Sequence, residues 1–490
     1  MTAEAEAGSA PGSASTPPLR TATKVWYGLG QTAEGFKNES FSLFLLFYYT
    51  AVLGLSGSLA ALAILLALLV DAVTDPMAGV ISDRFESRWG RRHPFIFAAA
   101  IPLGLFFYLT FAPPAGLAQQ ELFAWLLCFA VLTRLSMTLF HVPHLALGAE
   151  LTSDYQERTS IVTLQFVFAR AGHGIAGLLG LLYFMRPTAA HPNGRFNPEA
   201  YPALALSFAV VMVATILLSG WQTRDRIPFL NVRNPPAGRA NLFSAVFKDL
   251  SESLRNSSFR ALFLGLMLTY ISWGVTTALG LHLATYFWFV SNEQLVFWGI
   301  ATGIGIFSGL PFWMRQSLRL DKKPTFVWGI AIFTLATAIP TFLKMAGFWP
   351  AVGSPAYLPL FALTTGFLAH FGIAATMVTG RSMMADVTDE DALRFGRRRE
   401  GIFFGAASFS AKAAFGVGSL IAGFVVDLVG LVAGAHPDEV GPRVVNGLGF
   451  TLGFATLVLC GLSLAFFSRY RLDRERHAEI RAALAASAEA

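Results

Sequence analysis

Residues 59–82 read LAALAILLALLVDAVTDPMAGVIS, an apolar block interrupted by two carboxylates. The block is long enough to cross the hydrocarbon core of a bilayer, which takes about 20 residues of helix. Backbone polar groups find no water inside lipid, so the block is predicted to be a helix rather than a strand. The stretch therefore predicts a membrane-spanning helix that contains Asp71 and Asp75.

The composition of the whole chain agrees with this prediction. Hydrophobic residues make up 54% of the 490 residues, charged residues make up 13%, and the mean hydropathy is +0.55. Soluble domains contain about 25% charged residues, so a soluble protein is excluded. Both cysteines, Cys128 and Cys460, lie inside apolar blocks and are interpreted as small buried residues rather than a disulfide or metal site.

Apolar blocks recur along the chain in two sets of six. They lie near 27–55, 59–82, 94–113, 121–148, 160–185 and 202–220, and then near 260–290, 295–315, 325–345, 356–380, 401–430 and 445–468. The fold class predicted is an all-α polytopic membrane protein with twelve transmembrane helices in two six-helix bundles. The expected domains are a disordered tail at 1–23, bundles at 24–222 and 260–468, a linker at 223–259 and a tail at 469–490.

The distribution of lysine and arginine predicts the orientation. Of the 36 such residues, four lie in one set of loops, four lie inside spans, and the remaining 28 lie in the opposite loops and termini. Because positive charge stays on the cytoplasmic side, both termini are expected to be cytoplasmic, in an inner (plasma) membrane. The same bias explains the basic isoelectric point, so no nucleic-acid partner is expected.

Corresponding loops of the two halves are alike. The loop after the second span contains Asp83 and Arg84 followed by Arg91 and Arg92, and residues 315–323 after the eighth span are also basic. Positive-inside topology alone accounts for such charge, but the spacing from Gly79 onward resembles the signature loop of major facilitator transporters. That resemblance implies that these four charged residues act as a conformational latch between the bundles.

The second span places Asp71 and Asp75 at positions i and i+4, on one helical face. An ionisable residue at the bilayer centre costs about 2.5–3.5 kcal/mol on insertion scales. Two such carboxylates require a cation between them, or one of them keeps its proton. The pair is therefore interpreted as a coupling-ion site; the alternative is a structural pair bound to Arg134 or Arg170.

Other polar residues inside spans add candidates. Lys412 lies deep in the eleventh span and needs a carboxylate, for which Asp71 or Asp75 is the expected partner. Lys37 and Glu39 lie in the first span. His141 in the fourth span is a candidate proton sensor, although a buried histidine bonded to a carbonyl is the more common arrangement.

Several motifs together resemble the glycoside–pentoside–hexuronide:cation symporter family, over most of residues 24–468. They are Tyr27-Gly28-Leu29-Gly30, Phe47-Tyr48-Tyr49-Thr50, Asp71-Ala72-Val73-Thr74-Asp75-Pro76, Ser87-Arg88-Trp89-Gly90 with Pro94, Glu150-Leu151-Thr152 with Glu157-Arg158, and Glu400-Gly401 leading to Lys412.

This resemblance implies the cation site. In the family an acidic pair on the second helix and a threonine on the fourth bind the coupling ion, and Asp71, Asp75 and Thr138 match those positions. An asparagine that accompanies the pair in sodium-using members falls on Thr74 here, so H⁺ and Na⁺ both stay open. The family's eleventh-helix lysine matches Lys412.

The family's sugar-binding positions do not match. Its first-helix Lys-Asp pair falls on Glu34 and Gly35, its fourth-helix aspartate falls on His141, and its stacking tryptophan falls on Leu145. Its fifth-helix arginine falls near Gln165, with Arg170 the closest basic residue. Substrate-binding candidates are therefore Glu34, Glu39, His141, Gln165, Arg170 and Lys412.

Two substrates are compatible with these changes. The first is a different glycoside or sugar acid, in line with plant sucrose symporters that have a similar basic loop. The second is an amphipathic solute such as a lysolipid, which vertebrate relatives transport.

We expect a monomeric secondary active transporter that symports its solute with H⁺ or Na⁺ by alternating access. No cofactor is expected, and no metal beyond Na⁺ at the cation site. No catalytic triad, metal-ligand spacing or nucleotide motif is found, so an enzyme is not expected. A channel or a non-transporting receptor are the weaker alternatives.

Overall fold

The computed structural model describes residues 19–152, 154–230, 254–395 and 400–489. Residues 1–18 of the expected N-terminal tail and residues 231–253 of the expected linker lie outside the described residues. The described residues form helices, turns and connecting segments, with no strand among them. Because lipid offers no partner to an exposed peptide group, apolar blocks of this length fold as helices.

The first half contains eight helices in the described residues: α1 (Thr21–Leu29), α2 (Gln31–Glu39), α3 (Leu45–Phe47), α4 (Gly57–Arg84), α5 (His93–Thr110), α6 (Gln119–Glu150), α7 (Tyr155–Leu179) and α8 (Ala200–Gln222). The second half contains nine: α9 (Ser257–Ala278), α10 (Gly280–His282), α11 (Asn292–Leu320), α12 (Lys322–Met345), α13 (Tyr357–Phe361), α14 (Ala369–Phe395), α15 (Glu400–Val429), α16 (Pro442–Phe467) and α17 (Arg474–Glu489).

Eleven helical segments of the described chain are long and apolar enough to span a membrane. The first span is the exception, because it consists of shorter pieces. Helices α1 to α3 follow one another from Thr21 to Val52, joined by Gly30 and by π-helical turns at Ser40–Phe44 and Tyr48–Val52. With this run counted, the twelve predicted spans are confirmed.

The two ends of the bundle differ in their connections. We call the end with loop 85–92 and Asp321 the basic end, and the end with segments 53–56, 185–199 and 430–441 the distal end. Helix α4 of the first half and α15 of the second run side by side between them. This pair of helices positions the site described below.

Small residues let α4 and α15 approach closely near the distal end. A Cβ atom on Gly423 would collide with the carbonyl oxygen of Gly57 and with the Cβ of Ala61. Asp427, also on α15, accepts hydrogen bonds from the backbone N–H groups of Gly57 (2.6 Å) and Ser58 (2.8 Å). A carboxylate of one half therefore caps the N-terminus of a helix in the other half.

Arg195 joins the halves a second time at the distal end. This residue is 1% exposed and donates to Asn292 Oδ1 (2.7 Å), Thr285 Oγ1 (2.9 Å) and the Val290 carbonyl (2.8 Å). Asn292 donates in return to the carbonyl of Met185 at 2.6 Å. We call Arg195, Asn292 and their partners the distal lock. Burial lowers the pKa of Arg195 to about 10, so its guanidinium remains charged at neutral pH.

Helix α4 becomes more exposed toward the basic end. Ala60 and Ala61, near its start, are 0% exposed, whereas Met77 and Ile81 are 45% and 53% exposed. The exposed residues lie on one face of the helix, because Ala78 and Ser82 at the same end are only 9% and 0% exposed.

We predict that Gly423→Leu destabilises the protein, because a larger side chain collides with the backbone of Gly57. The melting temperature of the purified protein in detergent should fall by several degrees. Gly461→Leu is the matched control, since a Cβ there meets no atom within 4 Å. Equal melting temperatures for the two variants would contradict the close packing of α4 on α15.

Candidate functional site

Helix α4 presents both carboxylates of the predicted pair one helical turn apart, and the second of them, Asp75, immediately precedes Pro76. Proline has no N–H and cannot donate to the carbonyl four residues earlier. The side chain of Asp71 is 11% exposed and that of Asp75 is 29% exposed. Asp71 is therefore largely shielded from solvent and Asp75 is partly accessible, and both charges gain from partners.

Two residues on opposite sides bridge the pair. The Thr138 hydroxyl, on α6, lies 2.9 Å from Oδ1 of Asp71 and 2.7 Å from Oδ1 of Asp75. The Lys412 ammonium, on α15, donates to Oδ2 of Asp71 at 2.9 Å and also to Oδ2 of Asp75. We call these four residues the acidic ring. It contains the partner that the sequence predicted for Lys412.

The acidic ring crosses the boundary between the halves. Asp71, Asp75 and Thr138 belong to the first half, and Lys412 belongs to the second. The Lys412 ammonium contacts both carboxylates, at the position where a coupling cation would need to bind. A hydroxyl has one proton, so Thr138 can donate fully to only one carboxylate at a time. The carboxylate that does not receive this proton depends on the Lys412 ammonium for its hydrogen bond.

Arg134 on α6 is a further cation beside the ring. Its guanidinium lies 3.4 Å from Oδ2 of Asp71, with both side chains about nine-tenths buried. Arg170 lies elsewhere, within 3.5 Å of His173 and 6.0 Å from the ring of Phe166. Of the two arginines considered as structural partners of the pair, the structure brings only Arg134 to it.

Thr74 does not reach the carboxylates in this structure. Its hydroxyl donates to the backbone carbonyl of Asp71 at 3.4 Å, within the same helix. The role of Thr74 as a cation ligand therefore stays a prediction. Thr138, in contrast, lies within hydrogen-bonding distance of both carboxylates.

The other predicted substrate residues fall into three groups. Glu34 accepts a hydrogen bond from Asn38, and His141 has a buried Nδ1 with no hydrogen-bond partner among the described residues. Charges of Glu34, Asp75 and Lys412 act on His141, so these residues lie around the acidic ring. Glu39 instead lies against Gly177 of α7, on the side of Arg170.

Gln165 belongs to a different cluster. It donates to the hydroxyl of Tyr27, whose ring stacks on His144 with centroids 4.3 Å apart. His144 also contacts Gln31 at 2.7 Å and Ser219 at 3.0 Å. This network fixes α1 against α6 and α8, which gives Gln165 a packing role in this structure.

The charged loop at the basic end forms its ion pairs within the first half. Arg92 pairs with Asp83 and, at 2.7 Å, with Glu150, and Arg91 pairs with Glu150 at 3.0 Å. Three of the four predicted latch residues are therefore engaged within the first half, and the fourth, Arg84, is exposed. The action of the latch between the bundles stays a prediction.

Sequence reasoning missed the distal contacts. Asp427 lies inside an apolar block, so it shows the same feature that identified Asp71, a charged residue within a predicted span. Arg195 lies in a polar loop, where an arginine is ordinary, and no sequence pattern points to Asn292.

Residues 26–474 match the family model described as MFS/sugar transport protein. The putative glycoside/cation symporter YagG of Escherichia coli is 28% identical over 455 residues, which cover 92% of each chain. The isoprimeverose transporter of Lactiplantibacillus pentosus is 24% identical and covers 89% of this chain and 86% of its own. The crystal structure of a mutant of the nucleoside transporter NupG superposes with a TM-score of 0.61 at 13% identity, over 92% of this chain and 99% of that one.

We predict that Lys412→Met destabilises the protein, because it leaves two carboxylates facing each other without an ammonium. Breaking a buried pair costs about 3–5 kcal/mol, and the partial exposure of this one points to about 2 kcal/mol. The double variant Lys412→Met/Asp75→Asn should recover most of that loss, since one carboxylate is gone. Melting temperatures measured for both variants check this, and a double variant less stable than Lys412→Met would contradict the electrostatic account.

Proposed function

The chain belongs to the MFS/sugar transport protein family, and from this premise we propose that it symports a sugar or glycoside with H⁺ or Na⁺ by alternating access. Membership makes it a multi-pass membrane transporter rather than an enzyme, and confirms the resemblance to glycoside–pentoside–hexuronide:cation symporters. The basic end would face the cytoplasm of a bacterial inner membrane, because positive charge stays inside.

The acidic ring is the observation that supports ion coupling. Lys412 holds both carboxylates from the opposite half, so a cation entering between Asp71 and Asp75 must displace that ammonium. Displacement would break an ion pair between the halves near the midplane. Ion binding and the relative position of the halves are therefore linked through one set of charges.

The distal lock supports an alternating-access cycle. In this structure Arg195, Asn292 and Asp427 join the halves at the distal end, while α4 is more exposed toward the basic end. With the basic end in the cytoplasm, this arrangement would be the inward-facing state. Conversion to the outward-facing state would require the distal contacts to break. The charged loop at the basic end would then form contacts with the second half.

The substrate would bind beside the acidic ring. Glu34 and His141 supply hydrogen-bonding groups there, and Lys412 becomes available once a cation has displaced it. A sugar offers hydroxyl groups to such donors and acceptors. YagG is named as a putative glycoside/cation symporter, and the relative from Lactiplantibacillus pentosus is named as an isoprimeverose transporter. Both names refer to sugar-containing solutes, which favours a sugar over a lysolipid as the substrate.

We predict that Asp75→Asn abolishes concentrative uptake, because an amide has no negative charge to balance a bound cation and cannot take up and release a proton near neutral pH. Membrane vesicles with an imposed ion gradient are screened with radiolabelled mono- and disaccharides, and the accumulated sugar is then tested with the variant. Accumulation should fall at least tenfold and should be lost in the wild type when an uncoupler dissipates the gradient. Asp438→Asn, in the segment at the distal end, is the control. Uphill uptake by Asp75→Asn at the wild-type level would exclude the acidic pair as the cation site.

We predict that Arg195→Met opens the distal end, because it removes three hydrogen bonds from a charged donor, each worth about 1.5–3 kcal/mol. The probe is Thr50→Cys in a chain lacking Cys128 and Cys460, labelled from outside intact cells with an impermeant maleimide. Labelling should be at least fivefold faster with Arg195→Met.

Arg186→Met is the matched control for this experiment, since Arg186 is an exposed arginine of the same distal segment. Labelling that is as slow in Arg195→Met as in Arg186→Met would show that Arg195 does not hold the distal end closed.

A further inference from the structure

A cavity of about 300 Å³ lies at the distal end, where the two halves meet. Segment 185–199 of the first half lines it with Pro187 and Asn193, and residues 289–293 of the second half line the rest together with Pro437. Pro187 and Glu293 are exposed, so the cavity opens to solvent on the distal side. Small-molecule sites begin at about 300 Å³, so this volume suits a small solute. We call this space the distal cavity.

The distal lock forms the floor of the distal cavity. Arg195, Thr285 and Asn292 line the cavity, yet all three are buried and are occupied by hydrogen bonds of the lock. The shape of the cavity therefore depends on contacts between the halves, and it exists only while the distal end is closed.

The two halves offer opposite hydrogen-bonding groups to the cavity. The side-chain oxygen of Asn193 accepts from the backbone N–H of Arg195 at 3.2 Å, and its amide nitrogen has no acceptor among the described residues. Oε2 of Glu293 accepts from the Ser291 hydroxyl at 2.7 Å, and Oε1 accepts no hydrogen bond in the described part of the chain. A hydroxyl group can accept from the amide and donate to the carboxylate. A solute with several hydroxyl groups can therefore bind both halves at once.

The rest of the lining includes apolar rings. Three prolines and one aromatic residue contribute them: Pro187, Pro192, Pro437 and Phe289. Such rings suit the C–H faces of a sugar, while the few polar groups beside them orient its hydroxyls.

Phe289 has an unusual backbone conformation at this position. Its φ is +52°, in the left-handed region that bulky residues rarely adopt. The Lys344 ammonium lies 5.7 Å from the centroid of its ring, and Arg195 donates to the carbonyl of the next residue, Val290, at 2.8 Å. Backbone strain of this kind is kept where the surroundings hold it, often at ligand sites. Here it places an aromatic ring in the lining of the distal cavity.

We propose that the distal cavity binds a neutral, polyhydroxylated solute the size of a monosaccharide, separately from the transport site at the acidic ring. A solute with net negative charge would meet Glu293, and one with net positive charge would meet Arg195 in the floor. Because the bound solute contacts both halves, it stabilises the state in which the distal end is closed. With the distal end outside the cell, an orientation that rests on the proposed function, external solute therefore inhibits the opening of that end.

Protection of a cysteine in the cavity tests this site in the purified full-length chain in detergent. Pro187→Cys, in a chain lacking Cys128 and Cys460, is labelled with a maleimide in the presence of D-glucose, D-galactose or D-xylose. Sodium D-glucuronate and D-glucosamine hydrochloride are the charged sugars of matched size, compared at equal ionic strength. At least one neutral sugar should slow labelling fivefold or more, and the charged sugars should slow it less. Pro198→Cys is the control reporter, since Pro198 is an exposed proline of the same segment that does not line the cavity.

A variant assigns the protection to the distal cavity. Phe289→Gly removes the ring and keeps the left-handed backbone, which glycine adopts freely. Built into the Pro187→Cys chain, it should raise the sugar concentration needed for half-protection at least tenfold. Phe348→Gly is the matched control, because Phe348 is a 79% exposed aromatic residue at the same end. Melting temperatures without sugar establish that both variants are folded.

The effect on the distal end is read from Thr50→Cys, labelled from outside intact cells with an impermeant maleimide. The sugar that protects Pro187→Cys should slow this labelling at least threefold, and Phe289→Gly should remove the effect. Unchanged labelling of Thr50→Cys would show that the bound solute does not hold the distal end closed.

The site itself is overturned when no neutral sugar protects Pro187→Cys. It is also overturned when protection is equal in Phe289→Gly and Phe348→Gly, because the protection would then come from a movement of the halves caused by solute at the acidic ring. Labelling of the purified chain requires no transport. A chain that shows this protection but accumulates no sugar would therefore uphold the distal site and overturn the proposed function, and uptake without protection would do the reverse.

Discussion

The contact of Lys412 with Asp71 and Asp75 is the interaction on which the rest of the structure depends. Two carboxylates on one helical face repel each other strongly in a low-dielectric interior. An ammonium from the opposite half resolves that repulsion, and the Thr138 hydroxyl contacts the other oxygen of each carboxylate, with one proton to donate between them. The charges that make the span expensive to insert therefore also hold the two halves together.

The fold connects this central contact with the distal end of the bundle. Helices α4 and α15 contain the two sides of the ion pair, and they pack closely against each other at Gly57 and Gly423 near the distal end. The distal lock adds a buried arginine that must give up three neutral acceptors before that end can open. Closure at one end and a breakable ion pair at the centre are the two elements that a rocking movement of the halves requires.

Much of this arrangement was predictable from the sequence. The twelve spans follow from the length of the apolar blocks, and Lys412 was expected to find a carboxylate because it lies too deep in its span to reach the membrane surface. Gln165 shows the limit of aligning positions with a family, since its actual partner, Tyr27, depends on how α1 packs against α7. Arg195 shows another limit: a loop arginine becomes a buried lock only through tertiary contacts that no local pattern records.

The central claim is that Lys412 and the coupling cation compete for the same two carboxylates. Titration of the purified wild type and the Lys412→Met variant, with Na⁺ at fixed pH and with H⁺ at fixed Na⁺, tests it most directly through the change in tryptophan fluorescence. The account predicts that the coupling cation binds at least tenfold more tightly to Lys412→Met, because its competitor is gone. A variant that binds neither cation more tightly than the wild type would contradict the account.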